Sequence, residues 1–114
     1  MPAARIYQSG KLVDAKPFDV QFMIFRNEDD TLFWETYEER KHSRRGGRVE
    51  IWVQMGALPE PRISYVLPTW RLIVDGRLMT QVLHSDVPVL RHNIVLEYKN
   101  YRFEFAFDDG VAPV

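Results

Sequence analysis

The segment VLEYKNYRFEF, Val95 to Phe105, constrains the fold more tightly than any other part of the chain. Turned at Lys99-Asn100, it sets Tyr98 opposite Tyr101, Leu96 opposite Phe103 and, one pair further out, Ile94 opposite Phe105, all on one face. Glu97 meets Arg102 on the other face. Side chains of a strand alternate with a period of two, so a slip of one residue would set apolar groups against charged ones. The stretch therefore reads as a hairpin with one buried aromatic face. Its turn is assigned to Asn100, which tolerates a left-handed backbone. The continuation YRFEFAF, with Tyr101, Phe103, Phe105 and Phe107 in phase, reads as the centre of the core.

Two further turns carry hairpin signatures. Ser9-Gly10 pairs Tyr7 with Leu12 and Ile6 with Val13; Asp75-Gly76 pairs Ile73 with Leu78 and Leu72 with Met79. In FDVQFMIFR, Phe18, Val20, Phe22 and Ile24 share a face opposite Asp19 and Gln21. In VEIWVQM, Val49, Ile51, Val53 and Met55 alternate with Glu50, Trp52 and Gln54. Both read as strands with one buried side. Pro17, Pro59, Pro61, Pro68 and Pro88 mark strand ends and corners. The fold class that follows is mainly β: an antiparallel sandwich or partly open barrel of seven to eight short strands, with at most one helix.

One segment supports two readings. DDTLFWETYEERKHSRRGG has a capping residue, early acids, late bases and Gly46 as a stop, which describe a helix near residues 31–45 and an α+β alternative. Thr31, Phe33, Trp34, Thr36 and Tyr37 prefer strands, and the NEDDT turn would set Ile24 against Trp34.

Composition narrows the class. With 114 residues, the chain suits one domain, read as residues 1–107 with a loose tail at 108–114. It has no cysteine, which excludes disulfides, thiolate metal sites and a cysteine nucleophile, and which suits a reducing, cytoplasmic setting. MPAARIYQSG lacks the apolar core of a secretory signal, and no apolar run approaches a membrane span, so no membrane partner is expected.

The feature that departs from routine globular sequence is RKHSRRGGR, Arg40 to Arg48, with five cations in nine positions and no acid. Since the net charge is −1, the remainder of the chain carries −6. A net-acidic body with one basic protrusion reads as a directed contact rather than as general affinity for polyanions. If residues 32–39 and 49–55 pair as strands, this stretch connects them, and Phe33, Tyr37 and Trp52 lie on the face away from the core. The expected contact surface comprises Tyr37, Arg40, Lys41, Arg44, Arg45, Arg48 and Trp52. Its expected occupant is another protein, one with an acidic surface or a second copy of the chain. The alternative is single-stranded nucleic acid, tracked by arginines and stacked on aromatics.

Catalytic readings find little purchase. His84, Asp86 and His92 echo a two-histidine, one-carboxylate metal set, but the second histidine follows too soon for the usual arrangement. Adjacent His84, Ser85 and Asp86 cannot easily orient as nucleophile, base and orienter. His42 with Glu38 or Glu39 has proximity alone in its favour. There is no phosphate loop and no dinucleotide fingerprint. The expectation is a non-enzymatic interaction module without metal or cofactor.

Overall fold

Three tight turns organise the first sheet. In the computed structural model, which describes residues 3–17, 21–54, 62–64, 69–79, 87–88 and 93–106, Ser9 and Gly10 adopt φ of 52° and 80°, joining β1 (Ala3–Gln8) to β2 (Lys11–Pro17). Asp75 and Gly76, at 50° and 81°, join β7 (Arg71–Val74) to β8 (Arg77–Met79). Positive φ at both central residues matches the right-handed twist of the strands that follow. The third turn joins β10 (Ile94–Tyr98) to β11 (Tyr101–Ala106), with Tyr98, Leu96 and Ile94 facing Tyr101, Phe103 and Phe105 as expected. Here the positive φ falls on Lys99, at 52°, and not on Asn100. Asn100 instead holds the neighbouring turn: its carbonyl accepts from the Ser9 amide and its side-chain amide donates to Ser9 Oγ.

These hairpins assemble into a six-stranded antiparallel sheet in the order β2-β1-β11-β10-β7-β8. The second sheet is built from β3 (Phe22–Arg26), β4 (Leu32–Thr36), β5 (Arg48–Gln54), β6 (Arg62–Ser64) and β9 (Val87–Pro88), in the order β4-β3-β5-β6-β9. Every pairing is antiparallel. The mainly-β architecture, with a single short helix among the described residues, α1 (Tyr37–His42), is therefore as the alternation implied. Very short strands, β6, β8 and β9, bring the count among the described residues to eleven. Segment 31–45 forms both of its readings in succession, strand then helix.

The sheets face each other across one core. Ile6, Phe22, Ile24, Ile51, Val53, Leu72, Ile94, Leu96, Phe103 and Phe105 are almost wholly buried between them. Phe103 sits at the centre, edge-on to Trp34 at 5.7 Å and tilted against Trp70 at 5.8 Å. Phe18, Val20, Met55, Phe107, the prolines 59, 61 and 68, and the expected tail lie outside the described residues. No described helix is long and apolar enough to cross a membrane.

Two irregularities correct the expected registers. In β2, Ile6 pairs with Asp14 rather than with Val13, because an extra residue enters the strand there. That bulge leaves Leu12 and Val13 exposed, and it sends the Asp14 carboxylate to the Trp34 indole N–H across the seam between sheets, at 2.6 Å. In β5, Ile24 pairs with Ile51 but Phe25 with Val49, so Glu50 is the additional residue. Val49 then turns outward and Glu50 turns into the interior, against strict alternation.

Deleting the ring of Phe103 removes contacts from both sheets, and Phe103→Ala is expected to cost about 3–5 kcal/mol in urea unfolding. Asp14 supplies a pH-dependent contribution. Burial pushes its carboxyl upward, but the Trp34 and Ala15 N–H groups and Lys16 outweigh burial and hold it below its ordinary value near 3.8. A depressed folded value contributes stability above the unfolded pKa and loses it as pH falls through the folded one. The stability gap between the native protein and Asp14→Asn should accordingly narrow from neutral pH to below about pH 4. A gap that stays constant across an acid unfolding series counts against the Asp14–Trp34 tie.

Candidate functional site

The basic stretch begins where β4 ends. Thr36 Oγ1 accepts from the Glu39 amide at 3.1 Å, and Glu39 Oε1 accepts from the Thr36 amide at 2.9 Å. This reciprocal capping box starts α1, whose first turn carries Glu38 and Glu39 and whose last turn carries Arg40, Lys41 and His42. The helix closes at Ser43, whose N–H donates to the Arg40 carbonyl, three residues before the expected stop at Gly46. Residues 43–47 then return to β5 and, with α1, form a strap over the outer face of the second sheet.

What the strap covers is a second apolar cluster. Met23, Phe25 and Phe33 are buried on that face, with Trp52 packed against them, and the Phe25 and Phe33 rings stack at 4.9 Å. Their roof is cationic. The Arg40 guanidinium lies 4.4 Å from the Phe25 ring centre, and that of Arg45 lies 4.8 Å from the Phe33 ring centre. A guanidinium over a ring face is attracted by the ring quadrupole and carries less hydration than an ammonium, so arginine suits this covering role. Arg40 also bridges to Glu35 Oε1 at 3.2 Å and donates to the Arg45 carbonyl at 3.1 Å. Gly47 completes the fit: at φ 93°, a Cβ there would lie 2.8 Å from the Phe33 ring.

The expected site residues thus divide into two sets. Arg40 and Arg45 are occupied with the protein's own sheet. Lys41 pairs with Glu38 at 3.0 Å on the helix surface. Arg44 is exposed, with no hydrogen bond or ion pair among the described residues, and Arg48 keeps 75 % of its side chain exposed. Tyr37 opens the helix instead of ending a strand, yet its ring still lies 6.3 Å from that of Trp52. The expected aromatic platform is reduced, because Phe33 is only 7 % exposed whereas Tyr37 is 48 % exposed. Trp52 Nε1 is buried and has no acceptor among the described residues, an arrangement that costs about 1–3 kcal/mol where it occurs.

Sequence reasoning missed a polar network at the end of the sandwich where the β3–β4 and β10–β11 turns meet. Glu50 has a fully buried side chain; Oε2 accepts from Arg26 at 3.1 Å and Oε1 from the Trp70 indole at 3.2 Å. Arg26 donates also to Tyr98 Oη at 3.0 Å, and Tyr98 donates to Asp30 at 2.5 Å. Lys99 pairs with the other oxygen of Asp30. Arg26 offered one clue, since its place in the β3 alternation is in phase with Phe22 and Ile24. Glu50 offered none, because the bulge that turns it inward leaves no mark in the local sequence.

His84, Asp86 and His92, weighed and set aside as a metal set from the sequence, lie with Ser85 outside the described residues. No cluster of three or more histidines or carboxylates with metal-binding geometry occurs among those described. The carboxylates near His42 have other partners: Glu38 binds Lys41, and Glu39 caps the helix. Comparison with known families, with curated proteins and with solved structures finds no significant match.

If Arg40 roofs Phe25 and neutralises Glu35, then Arg40→Ala leaves a buried carboxylate without its cation and should cost about 1–3 kcal/mol. Adding Glu35→Gln should recover part of that loss. Simple additivity of the two changes in a double-mutant cycle would show that the bridge contributes nothing.

Proposed function

We propose that the protein is a non-enzymatic interaction module that docks on the acidic surface of a partner protein. Its contact surface is the strap, with Arg44 and Arg48 as outward charges and Tyr37 beside Trp52 as the aromatic contact. The observation that carries this reading is that the strap is tied to its own sheet by a capping box, an ion pair and two guanidinium–ring stacks. A strap held in one shape presents Arg44 and Arg48 without the ordering cost of a free loop, which is how preorganisation raises affinity. Charge complementarity then sets orientation and association rate, and burial of Tyr37 supplies affinity. The accompanying setting is cytoplasmic, in keeping with a chain that has no cysteine.

Single-stranded nucleic acid fits this surface less well. Stacking needs open ring faces, and the Phe25 and Phe33 rings lie beneath arginines. Two of the five cations of the basic stretch are also turned toward those rings rather than toward a ligand.

The test is fluorescence anisotropy with a labelled peptide of alternating Glu and Tyr and a labelled single-stranded RNA of equal charge, each across a salt series. The peptide is expected to bind more tightly, and Arg44→Glu with Arg48→Glu should weaken it about tenfold or more. Tighter binding of the RNA with a steep salt slope would transfer the surface to nucleic acid. If neither probe binds at low salt, the docking reading is wrong.

A further inference from the structure

Between the end of β3 and the start of β5 lies an open cleft of about 380 Å³, lined by Arg26, Asn27, Glu28, Gly47 and Arg48. We propose that this cleft is a carboxylate-binding site, in which Arg48 grips an acidic side chain of the partner. The inference rests on the docking reading for the identity of the occupant, and on the geometry of the cleft for its chemistry.

The starting point is an unfavourable cross-strand pair. Arg26 and Arg48 stand directly opposite each other in the β3–β5 ladder, where like charges destabilise a sheet. A single buried carboxylate answers both. Glu50 Oε2 is 3.1 Å from Arg26 Nη2 but 3.8 Å from Arg48 Nε, beyond hydrogen-bond reach. Glu50 Oε1 is already taken by Trp70. Arg26 has further compensation from Asp30, 3.5 Å away, and from the Tyr98 hydroxyl. Arg48 has no such second partner among the described residues. Its guanidinium is therefore attracted toward Glu50 without being hydrogen-bonded to it, and its fork of donors stays open.

The walls narrow the class of ligand. A carboxylate matches the paired N–H groups of a guanidinium in geometry as well as charge. Gly47 brings bare backbone to the cleft, and its left-handed φ, together with the Phe33 ring behind it, leaves no room for a side chain. Glu28, exposed on the rim, repels additional negative charge. A monoanionic carboxylate is tolerated beside it; a phosphate approaching two charges is disfavoured. Arg48 is thus assigned a different task from Arg44: Arg48 seats one carboxylate, and Arg44 steers.

Acetate and inorganic phosphate are the probes, followed by NMR at the Gly47 amide and the Arg48 Nε–H of the full chain. Acetate should give saturable shifts at both positions and bind more tightly than phosphate. Arg48→Ala, which replaces an exposed side chain, should weaken acetate binding at the Gly47 signal about tenfold, whereas Arg44→Ala should not. Glu28→Gln should narrow the preference for acetate over phosphate. Signals unmoved by acetate, equal shifts in Arg48→Ala, or tighter binding of phosphate would each overturn the assignment. Acetate needs no partner, so the two readings fail separately. A silent cleft alongside peptide binding that survives Arg48→Ala removes the carboxylate site and leaves docking intact. Acetate binding without peptide binding does the reverse.

Discussion

The contact on which much else depends is the buried carboxylate of Glu50. It belongs to β5 in one sheet, yet it accepts from Trp70, which leads into β7 of the other, and from Arg26 on the neighbouring strand β3. A buried carboxylate must be paired and hydrogen-bonded, because desolvation otherwise costs several kcal/mol. That requirement holds Arg26 inward, and Arg26 in turn holds the Tyr98 hydroxyl, which binds Asp30 in the β3–β4 turn. Both sheets and two of their turns are therefore linked through one acid. Replacing such a network with apolar groups can leave stability unchanged, whereas removing one partner leaves a buried charge uncompensated.

The second sheet solves a different problem at its outer face. Met23, Phe25 and Phe33 would form an exposed apolar patch if nothing covered them, and such patches invite association. A third layer of structure would need more chain. A strap of arginines uses little: the aliphatic stems and planar guanidinia cover the rings while their charge remains in contact with water. Two of the cations that make the stretch look like a contact surface in sequence, Arg40 and Arg45, thus act as a lid for the protein's own aromatic cluster.

Much of the sandwich was legible in the sequence because its hairpins check themselves. The turns at Lys99-Asn100 and Asp75-Gly76 fix registers in which apolar partners meet apolar ones, and the Glu97–Arg102 pair appears at 3.1 Å where the alternation put it. What escaped was whatever a single added residue changes. The bulge at Glu50 reverses the faces of Val49 and Glu50, and the bulge at Val13 redirects Asp14 to Trp34. Periodicity carries no record of such insertions, since the residue types on either side remain compatible with plain alternation. The 31–45 segment was ambiguous for the opposite reason: both signals were real and belonged to consecutive elements. In the candidate surface, the closeness of Tyr37 to Trp52 was foreseeable. The inward duty of Arg40 and Arg45 depends on the rings of Phe25 and Phe33, of which the sequence reading placed only Phe33 on the face away from the core.

Charge counts therefore mislead unless each charge is assigned a partner. Five cations in nine residues suggest a strong field, but Arg40 and Lys41 are paired with carboxylates and Arg45 faces a ring. The charge left outward-facing comes chiefly from Arg44 and Arg48, set against a remainder of the chain carrying −6. Counterion release along a phosphate backbone rewards many equivalent contacts, and two outward charges supply few of them. The docking proposed above asks instead for a few acids met in a fixed arrangement, and the strap that presents the two charges is anchored by Arg40 and Arg45 of the same stretch. In that proposal positional definition replaces charge density, and specificity would follow from where the arginines are held rather than from how many there are.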